Sequence, residues 1–499
     1  MTSYVSEDSS NKSISTQPTH QSPTFTPSIS FHSFNPIPST KKIISKAFKR
    51  RGLIPSTSRD KRCLVQWTPR SRVSFKRAHS NTILTSSFFI NQGLTHKDRL
   101  FAAHSNSNSS IAWAIPKTYT VKPHTTKEEL IETVSTLIQC HTDSISSKSA
   151  SPSASTSAAT SNGWILKQSQ VNNALGLIIF QDVNELTTRF QPNSQFQCQN
   201  NNQDNASLSY NECKTKSVLQ EYITNPLLLN HCKFHIRVNV MVTGGDLSTT
   251  NQTESKSNVP KSSSCKPQGF VHTDFVAHVA SEKYKRTDWK NKWIHVTNHG
   301  VQKEHPNYDR RTQTLSLTEL EHALVAEHGA GWVGCSEIFL KQSYSVIRNV
   351  LTTSIDRPGD FRPMMNSFEM FGFDFVPKRM EEENNEGNEG GLFQLQLLEV
   401  NGGPALEGVA RPDLCEKIVE DVIKIVIDPF LERIYAVQNE EVTEKKNETD
   451  FVKVWERGSD DLEMCDGNFV LPNVTSKGMI EFGKNVVDYV RNHPDSDSD

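Results

Sequence analysis

Long apolar runs are absent from this sequence. No stretch of the 499 residues approaches the roughly eighteen consecutive apolar residues that a membrane-spanning helix requires. The first residues contain no apolar core of the kind that a signal peptide has. We therefore expect a soluble, intracellular and cytoplasmic protein with no membrane partner.

The cysteines lack any pairing pattern. There are nine of them, an odd number, and they are scattered without a single C-x-x-C pair. Paired spacings are typical of disulfide frameworks and of cysteine-based zinc sites. The sequence therefore predicts reduced thiols and argues against both kinds of site.

The first sixty residues lack the periodic apolar pattern of a folded segment. They are dominated by Ser, Thr, Pro and Asn, a composition that cannot offset the entropy lost on ordering. We expect a disordered head over residues 1–62. A folded core should begin near Cys63 and end near residue 435, and a polar extension should follow over residues 436–499.

Acidic residues are nearly absent from residues 41–62. Nine Lys or Arg side chains lie there beside a single acid, Asp60. A solvated, flexible arm is the simplest interpretation. A nuclear signal, a mitochondrial presequence and an arm that attracts an acidic partner are alternatives, so a nuclear location and microtubule association stay open beside the cytoplasm.

The core alternates between strand and helix patterns. Capping boxes at Thr126–Glu129 and Ser316–Glu319 predict the starts of two helices, and a longer helix is expected from Cys335 to about Ile355. Alternating β-branched runs predict strands at 163–169, 176–180, 218–223 and 235–242. The predicted fold class is therefore mixed α/β (α+β).

Four low-complexity inserts interrupt this pattern. Each lies between apolar segments and none repeats another, so we interpret them as expanded surface loops, which stability tolerates well. They cover residues 143–162, 197–216, 244–268 and 381–391.

The runs 368–376 and 393–400 flank the last insert and predict a β-hairpin. Because side chains alternate along a strand, Gly372 and Asp374 should share one face. On the second strand one face should carry Leu395, Leu397, Glu399 and Asn401. If both acids point the same way, the hairpin ends in an all-oxygen cluster, the donor set that Mg²⁺ prefers. We expect a cation there because an unpaired buried carboxylate is costly; solvated strand ends, or pairs with Lys or Arg, are the alternative.

Basic side chains lie on strands upstream of the hairpin. Lys167 is in the middle of WILKQS, and Lys233, His235 and Arg237 follow at period two in KFHIR, hence on one face. Such a row favours a phosphate or carboxylate ligand, with an ordinary exposed strand face as the alternative. The segment VTNHGVQK adds two polar side chains, Asn298 and Lys303.

Together these segments resemble the tubulin-tyrosine ligase family of ATP-grasp ligases. The matching stretches occur in family order from about residue 88 to residue 425: FINQGLTHKDRL, IAWAIPKTYTV, WILKQS, VLQEYITNPLLLNHCKFHIRVNVMV, IHVTNHGVQKE, IRNVL with SFEMFGFDFV, and LLEVNGGPAL. The resemblance implies an ATP-grasp-like ligase with an N-terminal subdomain (63–125), a central one (126–225) and a C-terminal one (226–435) with the Mg/ATP site.

The resemblance also implies roles for individual residues. Lys167 and Lys233 would contact the ATP phosphates, and Arg237 would act with Lys233 on the charge of the reacting centre. The adenine hinge would be Gln220, Glu221, Tyr222 and Ile223. His235, Asn298 and Lys303 would contribute to the nucleotide and acceptor sites. The metal would be held by Asp374, Glu399 and Asn401.

Several positions depart from the family pattern. The glycine-rich phosphate loop here reads QSQVNNALGLIIF and keeps only Gly176, although glycines let backbone amides approach phosphate closely. His235 replaces an aspartate and cannot supply a fixed negative charge. Glu221 stands where a basic hinge residue is usual. Thr273, in GFVHTDFVAHVASEKY, falls near the place of a family arginine.

The reaction that the resemblance implies uses ATP and Mg²⁺. Phosphoryl transfer to a carboxylate of the acidic tubulin tail gives an acyl phosphate, and a free amino acid displaces the phosphate to form an amide. This chemistry needs positioning and charge neutralisation more than a protein nucleophile. We expect tyrosine as the amino acid and the C-terminus of α-tubulin as the acceptor. The alternatives are a glutamate or glycine ligase on tubulin or another protein, and a non-catalytic adaptor that binds tubulin or nucleotide; no nucleic-acid partner is expected.

Overall fold

The computed structural model describes residues 29–79, 83–104, 109–124, 126–146, 163–170, 176–189, 215–244, 266–380, 393–404, 406, 409–432 and 449–458. Its strands are β1 (Ser30–Ser33), β2 (Ile54–Pro55), β3 (Cys63–Trp67), β4 (Leu84–Thr85), β5 (Thr118–Val121), β6 (Trp164–Gln168), β7 (Ile178–Phe180), β8 (Ser217–Glu221), β9 (Leu228–Leu229), β10 (Cys232–Thr243), β11 (Gln268–His272), β12 (Val276–Lys283), β13 (Thr314–Ser316), β14 (Phe368–Arg379), β15 (Phe393–Gly402) and β16 (Phe451–Glu456).

The helices are α1 (Pro38–Arg50), α2 (Phe75–His79), α3 (Gln92–Thr95), α4 (Lys97–His104), α5 (Lys127–Ser146), α6 (Asn184–Arg189), α7 (Lys292–His295), α8 (His299–Gln302), α9 (Leu317–His328), α10 (Cys335–Ile355) and α11 (Pro412–Val422). The mixed α/β class is confirmed, and so are both predicted capping boxes and the helix from Cys335 to Ile355. Most residues of the four inserts lie outside the described ranges, although α5 continues into the first of them.

The strands form three sheets. The first contains β2, β1, β3 and β4 in that order and is parallel, whereas the second is antiparallel and has the order β5-β8-β6-β7. The third is the largest: its path is β13-β12-β10-β11-β16, with β14 pairing to both β10 and β15. Its core face carries Phe371, Phe373 and Phe375, which belong to the same buried cluster as the apolar side of α10.

The basic segment in the predicted disordered head is a helix, so that prediction is wrong for residues 29–62. Ile44, Ala47 and Phe48 lie on the buried side of α1 and belong to the same apolar cluster as α11. Arg51 pairs with Asp428 through Nε and Oδ1 at 2.6 Å and also contacts Glu420. The spacing of three apolar residues on one helical face outweighs the charge-rich composition, because it lets the segment bury surface against an acidic helix.

The folded core also extends past residue 435. Strand β16 pairs antiparallel with β11 and buries Phe451, Val454 and Trp455. The burial does not alternate strictly, because the neighbours Val454 and Trp455 are both buried where the pairing with β11 shifts its register. The predicted polar extension therefore contains an edge strand of the large sheet.

A β-bulge corrects the predicted faces of the hairpin. Asp374 is opposite Glu399, but the next residue, Phe375, is opposite Leu397, so Leu398 is an extra residue on β15. Since directly opposite residues share a face, Leu397 points into the core with the phenylalanines while Glu399 points to the other side. Leu395, Leu397, Glu399 and Asn401 therefore do not all share one face. The bulge explains how a buried apolar strand ends in polar side chains.

Candidate active site

A cleft lies between the second sheet and the third sheet. Strands β6 and β8 supply one wall, and β10, β14, β15 and the segment 295–298 supply the other. Its lining contains Lys97, Ile165, Lys167, Gln168, Leu177, Gln220, Glu221, Tyr222, Ile223, Lys233, His235, His295, Val296, Thr297, Asn298, Asp374, Val376, Leu398 and Glu399. Most of the predicted site residues are thus brought together.

Asp374 is held by two donors at the hairpin end of the cleft. Arg237, its register partner on β10, binds it in two places, with Nε 2.8 Å from Oδ1 and Nη2 2.6 Å from Oδ2. Asn401 donates from Nδ2 to Asp374 Oδ2 at 3.0 Å and to Glu399 Oε1 at 3.1 Å. Arg237 and Asn401 therefore lie directly behind the cleft carboxylates, although neither is part of its lining. Burial raises the pKa of Asp374 against the opposing effect of Arg237.

Glu399 has a counter-ion that sequence reasoning missed. Lys97, at the first residue of α4, places Nζ 3.0 Å from Glu399 Oε2. Burial acts to raise the pKa of Glu399, but Lys97 and Lys167 outweigh it and hold that pKa at about 2. The predicted need for an external cation therefore does not arise, because Lys97 and Arg237 already supply positive charge to the two carboxylates.

Lys97 is positioned by the end of β6. Its backbone N–H donates to the Ser169 carbonyl oxygen at 3.1 Å, and the backbone N–H of Asp98 donates to Ser169 Oγ at 3.0 Å. Lys97 is part of the motif FINQGLTHKDRL, but no periodic pattern around it distinguishes this lysine from one at the surface. Only the contact between α4 and β6 brings it to the carboxylate.

Two buried lysines face the cleft and donate hydrogen bonds to uncharged groups. Lys167 Nζ donates to Gln220 Oε1 at 2.8 Å, and burial lowers its pKa to about 8, partly opposed by Glu399. Lys233 Nζ donates to Tyr222 Oη at 2.9 Å and to the His295 carbonyl oxygen at 3.2 Å. Burial, followed by the positive charge of Lys167, lowers the pKa of Lys233 to about 7. Two desolvated amines that gain little from their surroundings fit an anionic ligand such as phosphate.

The predicted hinge borders the cleft at β8. The backbone N–H groups of Glu221 and Tyr222 donate to the carbonyl oxygens of Lys117 and Gly163, at 2.8 and 2.7 Å. The Gln220 amide is also engaged, because its Nε2 donates to Thr118 Oγ1 at 2.9 Å. Apolar walls on both sides give this end the character of a slot for a flat ring, lined by Ile165, Leu177, Val376 and Leu398.

A histidine pair stands where the family pattern led us to expect charged residues. His235 and His278 are register partners on β10 and β12, with ring centroids 4.9 Å apart, and His235 Nδ1 lies 2.6 Å from Thr297 Oγ1. The stretch quoted for the family arginine forms two strands, and His278 is its residue opposite His235. Thr273 is not at that place: it follows β11, where its N–H donates to the Asp450 carbonyl oxygen.

The segment VTNHGVQK contributes only partly. Asn298 lines the cleft just before α8. Lys303 follows the other end of that helix with an exposed side chain and is not part of the cleft lining. The structure therefore brings Asn298, but not Lys303, to the cleft, and a role of Lys303 at the acceptor site stays a prediction. His295 and Thr297, which the sequence analysis did not single out, are part of the lining instead.

The donor set was also tested against the implied metal. Asp374, Glu399 and Asn401 converge through direct hydrogen bonds, and all-oxygen sites of this kind suit Mg²⁺ with phosphate and water completing its shell. The residues fit such a group, provided that Arg237 and Lys97 share the carboxylates with it.

No helix among the described residues is both long and apolar enough to cross a membrane.

Fold and cleft together define a mixed α/β protein with a cleft between two sheets, in which buried lysines lie opposite paired carboxylates. The chain belongs to the tubulin-tyrosine ligase family, whose sequence profile matches residues 75–248 and 267–434. The resemblance stated from the motifs is thereby confirmed.

Individual relatives carry different amino-acid specificities in their names. A probable tubulin–tyrosine ligase of Schizosaccharomyces pombe is 23% identical in an alignment of 423 positions that covers 78% of this chain and 89% of that protein. Tubulin glycylase 3C of Tetrahymena thermophila is 22% identical over 54% of this chain and 21% of its own length. A human protein named as a probable tubulin polyglutamylase is 22% identical over 53% of this chain and 35% of its own length. The chain thus spans a fifth to a third of the last two.

Proposed function

We propose that the protein is an ATP-dependent ligase that joins a free amino acid to a carboxylate of the acidic tubulin tail. The observation that carries the proposal is the pair of buried lysines, Lys167 and Lys233, facing Glu399 and Asp374 across one cleft. Membership of the tubulin-tyrosine ligase family supports it. The cytoplasm, on or near microtubules, is the place where such a substrate is met.

Each charged group has a task in this reaction. Lys167 and Lys233 would bind the phosphates of ATP, and Gln220, Glu221, Tyr222 and Ile223 would border the base. Asp374, Glu399 and Asn401 would hold Mg²⁺, which neutralises charge as the γ-phosphoryl group moves to the acceptor carboxylate. Arg237 lies behind Asp374 and would offset the negative charge of the reacting centre.

The bonds made and broken balance without a protein nucleophile. Transfer of the phosphoryl group yields ADP and an acyl phosphate on the acceptor. The amine of the amino acid then attacks the acyl carbon, loses a proton and releases inorganic phosphate as the amide forms. Positioning of the three reactants in the cleft is what the protein supplies.

For the amino acid we propose tyrosine and for the acceptor the C-terminus of α-tubulin. The support is the closer match of NPLLLNHCKFHIR, VTNHGVQKE and EVNGGPA to tyrosine ligase than to the polyglutamylase members. Relatives named for glycine and glutamate transfer make those amino acids the alternatives within the same chemistry.

A non-catalytic adaptor is the second candidate, and one observation favours it. Glu399 and Asp374 are neutralised by Lys97 and Arg237, so the carboxylates do not by themselves require a metal. The His235–His278 pair at a place expected to be charged points in the same direction. An adaptor would bind the acidic tail, or nucleotide, without turnover.

Binding and incorporation assays separate these candidates. Purified protein is titrated calorimetrically with Mg²⁺ATP and then supplied with an α-tubulin tail peptide and tyrosine, glutamate or glycine in separate reactions. The ligase should bind Mg²⁺ATP and incorporate tyrosine, and Glu399→Gln should lose both. Glu337→Gln is a matched control, since that side chain is 67% exposed on α10.

The possible outcomes point to different proteins. Incorporation of glutamate or glycine but not tyrosine would keep the ligase and overturn its substrate. Nucleotide or tail binding without incorporation would support the adaptor. Absence of Mg²⁺ATP binding in the unaltered protein would contradict the ligase altogether.

A further inference from the structure

Strand β16 reaches the large sheet beside a cluster of three potential metal ligands. Residues 449–458 lie outside both ranges that match the family profile. One nitrogen of His272 and one carboxylate oxygen each of Asp421 and Asp450 lie within 4.8 Å of one another. The three residues come from the end of β11, from α11 and from the residue before β16, and none of them lines the cleft.

His272 is the residue that points to a ligand. Its side chain is fully buried, and Nδ1 lies 2.8 Å from the carbonyl oxygen of Asp274. The backbone nitrogen of Asp274 is 3.2 Å from the same Nδ1, so a proton on Nδ1 matches the shorter of the two contacts. That tautomer leaves the lone pair on Nε2, the arrangement common in metal-binding histidines. Nε2 is buried, has no hydrogen-bond partner among the described residues and faces Asp421 Oδ2 at 3.9 Å.

In this tautomer a lone pair faces a carboxylate, which is unfavourable unless a positive charge lies between them. With the proton on Nε2 instead, the N–H would be 3.9 Å from Asp421 Oδ2, beyond hydrogen-bond distance. A cation between the two atoms satisfies both. With metal–ligand distances of about 2.0–2.2 Å, two ligand atoms on one metal can lie up to about 4 Å apart, so the separation of Nε2 and Oδ2 needs little adjustment.

The carboxylates have partners, but these do not explain His272. Asp421 accepts from the N–H of Asp450 at 3.0 Å and from Lys424 Nζ at 3.3 Å, and Lys417 Nζ contacts the Asp450 carboxylate. The side chains of Lys417 and Lys424 are 51% and 37% exposed, so both can move into solvent. The lysines would compete with a cation for the carboxylate oxygens. In either case His272 Nε2 has no hydrogen-bond partner among the described residues.

We propose that His272, Asp421 and Asp450 form a divalent-cation site of the zinc type that fastens β16 to the family core. One imidazole nitrogen with two carboxylate oxygens suits a borderline cation such as Zn²⁺ better than Mg²⁺. The ligands connect three elements that are far apart in the chain. The bound ion therefore holds the edge strand against β11 and α11.

Metal titrations test the site directly. The full chain is stripped with EDTA, exchanged into metal-free buffer and titrated with Zn²⁺ in a thermal unfolding assay and with Co²⁺ in a visible absorption assay. We expect Zn²⁺ to raise the unfolding temperature and Co²⁺ to give a ligand-field spectrum with one ion per chain. Glu399→Gln should keep both signals, which separates this site from the cleft.

Two ligand variants and one control assign the signals. Asp450→Asn and His272→Gln should weaken Zn²⁺ binding at least about 100-fold, because loss of a mere outer partner of a ligand already costs 10–100-fold. His305→Gln is the matched control, since it removes a histidine from a pair with Glu282 elsewhere (3.2 Å). Equal Zn²⁺ affinity in Asp450→Asn and the unaltered protein would overturn the proposal.

Lys417→Met distinguishes a metal site from an ion-pair network without relying on a ligand variant. At a metal site it removes a competitor for Asp450, so Zn²⁺ should bind more tightly. In a network held by lysines alone it should lower stability while Zn²⁺ and EDTA have no effect. That second result would also overturn the proposal.

Discussion

Lys97 Nζ lies 3.0 Å from Glu399 Oε2, and this contact joins the start of α4 to the polar end of β15. Their side chains are 5% and 15% exposed. At such burial neither charge is well solvated, so each depends on the other. Lys97 thus supplies to Glu399 the positive charge that the sequence led us to expect from a metal.

Lys97→Met should therefore destabilise the protein by about 3 kcal/mol, the scale measured when one partner of a buried pair is removed. The folded-state pKa of Glu399 is about 2, below its unfolded value. Its stabilising contribution is thus complete above about pH 4.3 and lost only as the pH falls from there towards 2. Urea unfolding at pH 8 measures the loss in Lys97→Met; towards pH 5 the loss can shrink, because burial raises the pKa of Glu399 once Lys97 is gone.

The double variant Lys97→Met/Glu399→Gln is the control for this pair. It should be less destabilised than the sum of the two single variants, because both charges are gone. A double variant as unstable at pH 8 as the sum of the two single variants would contradict the coupling of Lys97 and Glu399.

Mg²⁺ATP binding, if the ligase proposal holds, should weaken as the pH rises above neutrality. Phosphate requires the charged form of Lys233, whose pKa burial lowers to about 7. Above that pH binding must take up a proton, so affinity should fall about tenfold between pH 7 and pH 8.5. Calorimetry in two buffers of different ionisation enthalpy measures both the affinity and the proton uptake.

Lys303→Met serves as the control for this pH profile. Its side chain is exposed outside the cleft, so the variant should retain the slope. A flat profile in the unaltered protein, with no proton uptake at pH 8.5, would mean that Lys233 does not meet the phosphates.

Phe48→Ala should destabilise the protein by about 3–5 kcal/mol, the range for a fully buried phenylalanine. Phe48 is completely buried on the inner side of α1, where its ring centroid lies 4.8 Å from that of Phe31. Lys46→Ala, on the exposed side of the same helix, should change stability by less than about 1 kcal/mol. Urea unfolding of both variants checks this; equal and small effects would favour the disordered head that composition predicts.

The sequence predicted elements with strong local signals and failed where tertiary contacts decide. Capping boxes and the alternation in FGFDF identify helix starts and strand faces by purely local chemistry. Helix α1 was missed because its basic residues dominate the composition, and its docking surface, α11, lies far along the chain. Lys97 was missed because its carboxylate partner, Glu399, lies on a strand far along the chain.

The bulge at Leu398 is the clearest case of a feature that periodicity cannot supply. A strict period of two would place Leu397 and Glu399 on one face, yet the extra residue puts them on opposite faces. Deletion of Leu398 would leave Leu397 and Glu399 as neighbours, which a regular strand already places on opposite faces, so it should remove the bulge and keep both side chains on their present sides. We therefore expect the deletion variant to fold and, if the ligase proposal holds, to retain Mg²⁺ATP binding, with the loss of one apolar side chain from the cleft lining.

Leu398→Met keeps the residue count and nearly the same side-chain volume, so it is the matched control. It should unfold within about 1.5 kcal/mol of the unaltered protein and bind Mg²⁺ATP with little change. Leu398→Ala extends the comparison, because it shortens the side chain but preserves the register. If the deletion variant failed to bind Mg²⁺ATP while Leu398→Ala bound it, the bulge itself, and not only the side chain of Leu398, would be needed to position Glu399.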